Sequence, residues 1–111
     1  MSNVPMTRLS SNKILVEQTS TGDGSRFDIE YQNATFQCIA NGTSGAFSAT
    51  VYVQVSNDGT NWEIAITFIL SGTATTADSE GGNISAPWRY VRGYVNAISG
   101  TGAFVDMYMG V

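Results

Sequence analysis

Residues 47–56 read Phe-Ser-Ala-Thr-Val-Tyr-Val-Gln-Val-Ser. Phe47, Ala49, Val51, Val53 and Val55 fall on one side of an extended chain, and Ser48, Thr50, Tyr52, Gln54 and Ser56 on the other. Side chains alternate across a strand, so this period of two predicts a β-strand with one face buried and the other wetted. The next five residues, Asn57-Asp58-Gly59-Thr60-Asn61, carry the Asp-Gly signal of a tight hairpin, and Trp62 opens a returning strand through Leu70. One hydrophobic face and one tight turn place this part of the chain in an antiparallel sheet.

The same grammar extends in both directions. Upstream, Thr35 to Ala40 puts Phe36, Cys38 and Ala40 on one face, and Asn41 to Gly45 is read as the hairpin that joins it to the central strand. Phe27, Ile29 and Tyr31 alternate with Asp28 and Glu30. Gly22, Asp23 and Gly24 supply turn chemistry before them, and Ile14 to Glu17 forms a short first strand. Residues 1–12 are polar, contain Pro5 and lack periodicity; they are read as an extended N-terminal arm that straps onto a neighbour, ahead of one domain at 13–111. Downstream, residues 71–86 are rich in glycine, serine and threonine and are read as the longest loop, a candidate ligand-binding segment. A last hairpin is expected from Trp88 to Val111, turning at Ser99-Gly100-Thr101-Gly102. Val91, Gly93, Val95 and Ala97 share one face of it, as do Ala103, Val105, Met107, Met109 and Val111. Gly42-Thr43-Ser44-Gly45-Ala46-Phe47 echoes Gly100-Thr101-Gly102-Ala103-Phe104, as if one hairpin device were used twice. No stretch has helical periodicity. The fold class expected is all-β, an antiparallel, jelly-roll-like β-sandwich.

Composition narrows function mainly by exclusion. The net charge is −4, histidine is absent, and the basic residues are Arg8, Lys13, Arg26, Arg89 and Arg92 alone. Binding to nucleic acid or to an anionic membrane needs a basic patch, so neither partner is expected. The longest apolar run, Ile64 to Leu70, is too short to span a bilayer as a helix. Cys38 has no second cysteine to pair with and shares a face with Phe36 and Ala40, which marks it as a small buried hydrophobe.

Catalytic inventory is thin. Without histidine, acid–base chemistry would need a carboxylate pair. Asp58 and Glu63 flank Trp62, but a turn aspartate and a solvated strand glutamate account for them. One cysteine cannot build a zinc site. Asp23, Asp78 and Glu80 match no calcium-loop spacing. The expectation is a protein that is not an enzyme, with no catalytic residue, cofactor or metal. Surface remains as the working part. Tyr90, Arg92 and Tyr94 lie opposite the valines, with Phe104 and Tyr108 read as lying across from them. Tyrosine, phenylalanine and arginine exposed together have the composition of an interface core, so these five are the expected contacts with a partner subunit.

Val-Gln-Val-Ser-Asn-Asp-Gly-Thr-Asn-Trp at 53–62, Pro-Trp-Arg-Tyr-Val-Arg at 87–92 and Ile-Ser-Gly-Thr-Gly-Ala at 98–103 make the segment from Gly45 onward resemble small tailed-bacteriophage virion proteins. Those it resembles are capsid decoration (cement) proteins and tail-associated β-sandwich proteins. The resemblance implies a non-enzymatic homotrimer that clamps the major capsid protein at the capsid surface. No leader segment is visible, so synthesis in the host cytoplasm is expected. Ser-Asn-Asp-Gly-Thr-Asn-Trp followed by Arg-Tyr-Val-Arg is also similar to discoidin-like jelly rolls, which would imply a carbohydrate- or surface-binding module with a glycan partner. A tail or fibre component is the third expectation.

Overall fold

The computed structural model describes residues 13–31, 33–74 and 76–110. The arm at 1–12 lies outside the described residues. Among the described residues nine strands form two facing antiparallel sheets: β1 (Lys13–Gln18), β2 (Gly22–Asp23), β3 (Phe27–Asp28), β4 (Ala34–Asn41), β5 (Ser44–Ser56), β6 (Glu63–Thr73), β7 (Asp78–Ile84), β8 (Tyr90–Thr101) and β9 (Phe104–Gly110). One sheet runs β1-β9-β4-β7. The other runs β2-β8-β5-β6, with β3 also paired to β8. The protein is an all-β sandwich.

The core is the set of inward positions that the period-two pattern selects. Val51, Val53 and Val55 of β5 and Val91 and Val95 of β8 are buried from one sheet; Phe36, Cys38, Val105 and Met107 are buried from the other. Gly93 breaks the valine row of β8 for a packing reason. A Cβ there would stand 2.7 Å from Leu15 Cγ, so the missing side chain is the socket that receives Leu15 from the opposite sheet. The hairpin expected at 57–61 is present. Asp58 accepts the backbone N–H groups of Thr60 and Asn61, each at 2.8 Å, and Gly59 takes the left-handed conformation at φ 75°.

Two expected hairpins are something else. β4 and β5 belong to different sheets, as do β8 and β9, so residues 41–45 and 99–102 are corners where the chain crosses the sandwich. β4 pairs with β9 and β5 with β8. The segments 34–56 and 90–110 are therefore one long antiparallel ribbon folded over on itself, which is jelly-roll construction. The two echoing glycine motifs face each other at the fold. Ser44 pairs with Thr101, the Thr43 N–H donates to the Thr101 carbonyl at 3.0 Å, and Gly102, at φ 65°, leaves room for the Thr43 side chain. Glycine-rich turn chemistry permits a reversal and a crossing alike; only the partner strand distinguishes them.

Three further expectations change. Residues 71–86 are not a loop: β6 continues to Thr73, and Asp78–Ile84 is a strand laddered on β4 from Ala40↔Asp78 to Ala34↔Ile84. Its sequence, Asp-Ser-Glu-Gly-Gly-Asn-Ile, has no apolar alternation because an edge strand of this kind is held by backbone bonds. The Phe27–Tyr31 alternation stops early. The Asp28 carboxylate accepts the Glu30 N–H at 2.9 Å, and Glu30 and Tyr31 turn left-handed at φ 50° and 64°; Ile29 stays buried while Tyr31 is 55% exposed. In β8 a bulge at Asn96 separates the pairs Val51↔Val95 and Thr50↔Ala97. Ala97 is thereby turned outward and Ile98 packs on the core in its place.

Candidate functional site

Because β8 and β9 lie in opposite sheets, the five residues expected to share an interface divide between the two sides of the sandwich. Tyr90, Arg92 and Tyr94 project from the outer face of the five-stranded sheet, and Phe104 and Tyr108 from the outer face of the four-stranded one.

On the five-stranded side, strand register sets β5 beside β8 so that Tyr52 pairs with Tyr94, Gln54 with Arg92 and Ser56 with Tyr90. The Tyr52 and Tyr94 rings stack with centroids 6.1 Å apart and planes inclined by 20°. Arg92 is held on three sides. Its Nε donates to Gln54 Oε1 at 2.7 Å, its Nη1 donates to Asp23 Oδ2 at 2.9 Å, and its guanidinium lies 4.2 Å from the Trp62 ring centroid. Tyr90 carries two cations: Arg26 at 4.4 Å and Arg89 at 5.2 Å from its ring, with Arg89 also bonded to Asp28 at 3.2 Å. Ile69 on the edge strand β6 extends the face; it pairs with Thr50 and is 69% exposed. Sequence reading placed Tyr52 and Gln54 on a wetted face, but nothing in it set them beside Tyr94 and Arg92. Trp62, Asp23 and Arg26 had no signal at all, since they arrive from a turn, a two-residue strand and the adjoining loop.

The four-stranded side is built differently. Lys13 sits 5.2 Å from the Tyr108 ring and 3.4 Å from Asp106, and the same Asp106 oxygen accepts the Glu17 N–H at 2.8 Å. The hydroxyl of Tyr108 and the charge of Asp106 raise the Lys13 pKa above its ordinary value. Phe104 lies opposite Asn41, and Tyr108 opposite Gln37. Gly81 continues the Tyr108–Gln37 row on β7, and Ser79 continues the row of Asp106 and Ile39.

The remaining singled-out residues do not converge. Asp23 is bonded to Arg92 in the five-stranded sheet, while Asp78 and Glu80 lie on β7 in the other; the Asp78 carboxylate accepts the Ser71 N–H at 3.0 Å. The Asp58 carboxyl is held well below the usual carboxylate range by the backbone N–H groups of Asn61 and Thr60 and by the side chains of Asn61 and Ser56. Cys38 is wholly buried. Burial first, then the charges of Glu80 and Asp106, push its thiol up to about 12. At neutral pH it is a protonated, inaccessible thiol rather than a nucleophile.

The chain matches no protein-family model, and no curated protein sequence is significantly similar to it.

Proposed function

We propose that this chain is a non-catalytic virion structural protein of the capsid-decoration type, docking on the major capsid protein through the outer face of its five-stranded sheet. The observation that carries this reading is the Tyr52–Tyr94 stack beside the Arg92–Trp62 pair, a cluster whose side chains hold one another in place before any partner arrives. Tyrosine, tryptophan and arginine supply most of the energy of protein interfaces. Anchors that are already ordered also lose little rotamer freedom on docking. Ile69 widens the face with exposed apolar surface. The resemblance of the chain from Gly45 onward to phage decoration proteins points the same way and suggests a homotrimer on the capsid surface. The action is mechanical: burial of this face between subunits adds stability to the shell.

Size-exclusion chromatography with light scattering, followed by co-sedimentation with empty capsids of the cognate phage, tests the reading. The expected result is a trimer that pellets with capsids. A monomer that ignores capsids but is retained on a glycan array would replace this reading with a carbohydrate-binding module. Attachment to tails alone would move the protein to a tail or fibre.

A further inference from the structure

A hollow of about 640 Å³ opens at one end of the sandwich, between the β5–β6 turn and the connection that leads into β8. That volume falls in the range of sites for small ligands. Trp88 forms one apolar wall, with part of its surface packed on the core, and Ile64, 55% exposed, forms another. Around them stand Asn57, Asn61, Asp58 and Glu63.

Each of these groups is placed by the fold. Asn57 Oδ1 accepts the Arg89 N–H at 3.1 Å, which ties the turn to the segment carrying Trp88. Trp88 is fixed further by its carbonyl, which accepts the Tyr31 N–H at 3.0 Å. Asp58 is locked in the turn: Oδ1 accepts from Ser56, Thr60 and Asn61, and Oδ2 accepts from Asn61 Nδ2. Its charge remains at the rim although its position is fixed. Glu63, the first residue of β6, is exposed, and its carboxylate makes no ion pair or hydrogen bond among the described residues. The nearby arginines are directed elsewhere, Arg26 onto Tyr90 and Arg89 onto Asp28, and neither lines the hollow.

The hollow therefore combines two carboxylates, an indole and an exposed isoleucine, with no lining cation among the described residues. That combination suits a positively charged head on an apolar stem. We propose that it receives a basic side chain, lysine or arginine, of a partner polypeptide. The stem lies along Trp88 and Ile64. The head reaches Glu63, within the field of Asp58 and the amide oxygen of Asn61. An indole attracts a cation through its ring quadrupole, and charge-assisted hydrogen bonds to a carboxylate are the strong kind. This inference does not rest on the capsid reading, although the hollow adjoins that face where Ile64 pairs with Gln54: it asks only for a basic side chain, whatever partner carries it.

The test is an NMR titration of the isotope-labelled full chain with the blocked peptides acetyl-Gly-Arg-Gly-amide and acetyl-Gly-Lys-Gly-amide. The citrulline peptide, a neutral isostere of the arginine one, and a neutral disaccharide serve as comparison probes. Expected are shifts confined to the amides of residues 57–65 and the Trp88 indole, produced by the arginine and lysine probes, weakened by added salt, and absent with citrulline. Glu63→Gln, at an exposed position where folding is easily verified from the same spectrum, should weaken binding about tenfold, the loss expected for one charge-assisted contact. Equal shifts from arginine and citrulline, or full binding by a folded Glu63→Gln variant, would overturn the proposal. So would silence at about 10 mM probe, where even a millimolar site is mostly filled. Shifts from the disaccharide alone would reassign the hollow to a neutral sugar.

Discussion

The outer faces of the two sheets start from the same material and end as different surfaces. β8 and β9 are consecutive in the chain, and each alternates small or apolar inward residues with aromatic or charged outward ones. Yet Arg92 on β8 is held by Gln54, Asp23 and Trp62 at once, while Tyr108 on β9 meets Gln37 across the ladder and one lysine above it. The difference lies in the neighbours. The ribbon fold brings the wetted face of β5, which carries Tyr52, against β8, and the wetted face of β4, which carries Thr35 and Gln37, against β9. An outward aromatic becomes part of a preformed cluster only where register supplies a second one.

The largest expected effect concerns the core that both faces share. Leu15→Ala should lower the unfolding free energy by about 3 kcal/mol in a urea titration, as for other buried leucines. Gly93→Ala should cost less in that background than in the native protein, because the new methyl enters space that Leu15 has vacated. Additive losses would mean that the socket does not exist. Next comes binding. Tyr52→Ala combined with Tyr94→Ala should reduce capsid co-sedimentation about tenfold or more, the loss of about 1.4 kcal/mol or more typical of central aromatic anchors, whereas Tyr108→Ala should leave it unchanged. The opposite outcome would transfer the docking role to the four-stranded face.

Smaller effects sharpen the contrast. Arg92→Ala should destabilise the fold by about 1 kcal/mol and shift the emission of Trp62, since it removes a ring contact and two hydrogen bonds from a partly buried site. Lys13→Ala should change stability too little to detect, since its solvated ammonium is screened and Asp106 keeps the Glu17 N–H as a partner. A small pH-dependent signal comes from the turn. Asp58 has a folded-state pKa below its unfolded value, so it stabilises the fold above about pH 4 and that contribution is lost as the pH falls further. Melting temperatures measured from pH 6 down to pH 2 should decline less steeply in Asp58→Asn than in the native protein.

The parts legible in the sequence were those set by one strand alone. The inward set Phe47, Ala49, Val51, Val53 and Val55, the burial of Cys38 and the hairpin at Asp58-Gly59 are all legible, because each depends on side-chain alternation or on the chemistry of adjacent residues. β7 was illegible because its pairing uses backbone groups, which every residue carries. The corners at Gly42 and Gly102 were misread as hairpins because turn chemistry does not say in which sheet the next strand will lie. The candidate face was half legible. Tyr90, Arg92 and Tyr94 followed from period two, but Tyr52, Trp62 and Asp23 joined them only through strand register and a sequence separation as large as that between Asp23 and Arg92.

By itself, then, the sequence determined that this chain forms antiparallel strands with one buried face each, since a period of two and local turn chemistry act within a few residues. Tertiary structure alone decided which strands became neighbours, that the last two strands lie on opposite sides of the sandwich, and that one outer face gathers the interlocked aromatics and arginines. Those outcomes depend on how the folded ribbon closes over a common core. That closure is a long-range fit, with Leu15 seated against Gly93 as one of its contacts.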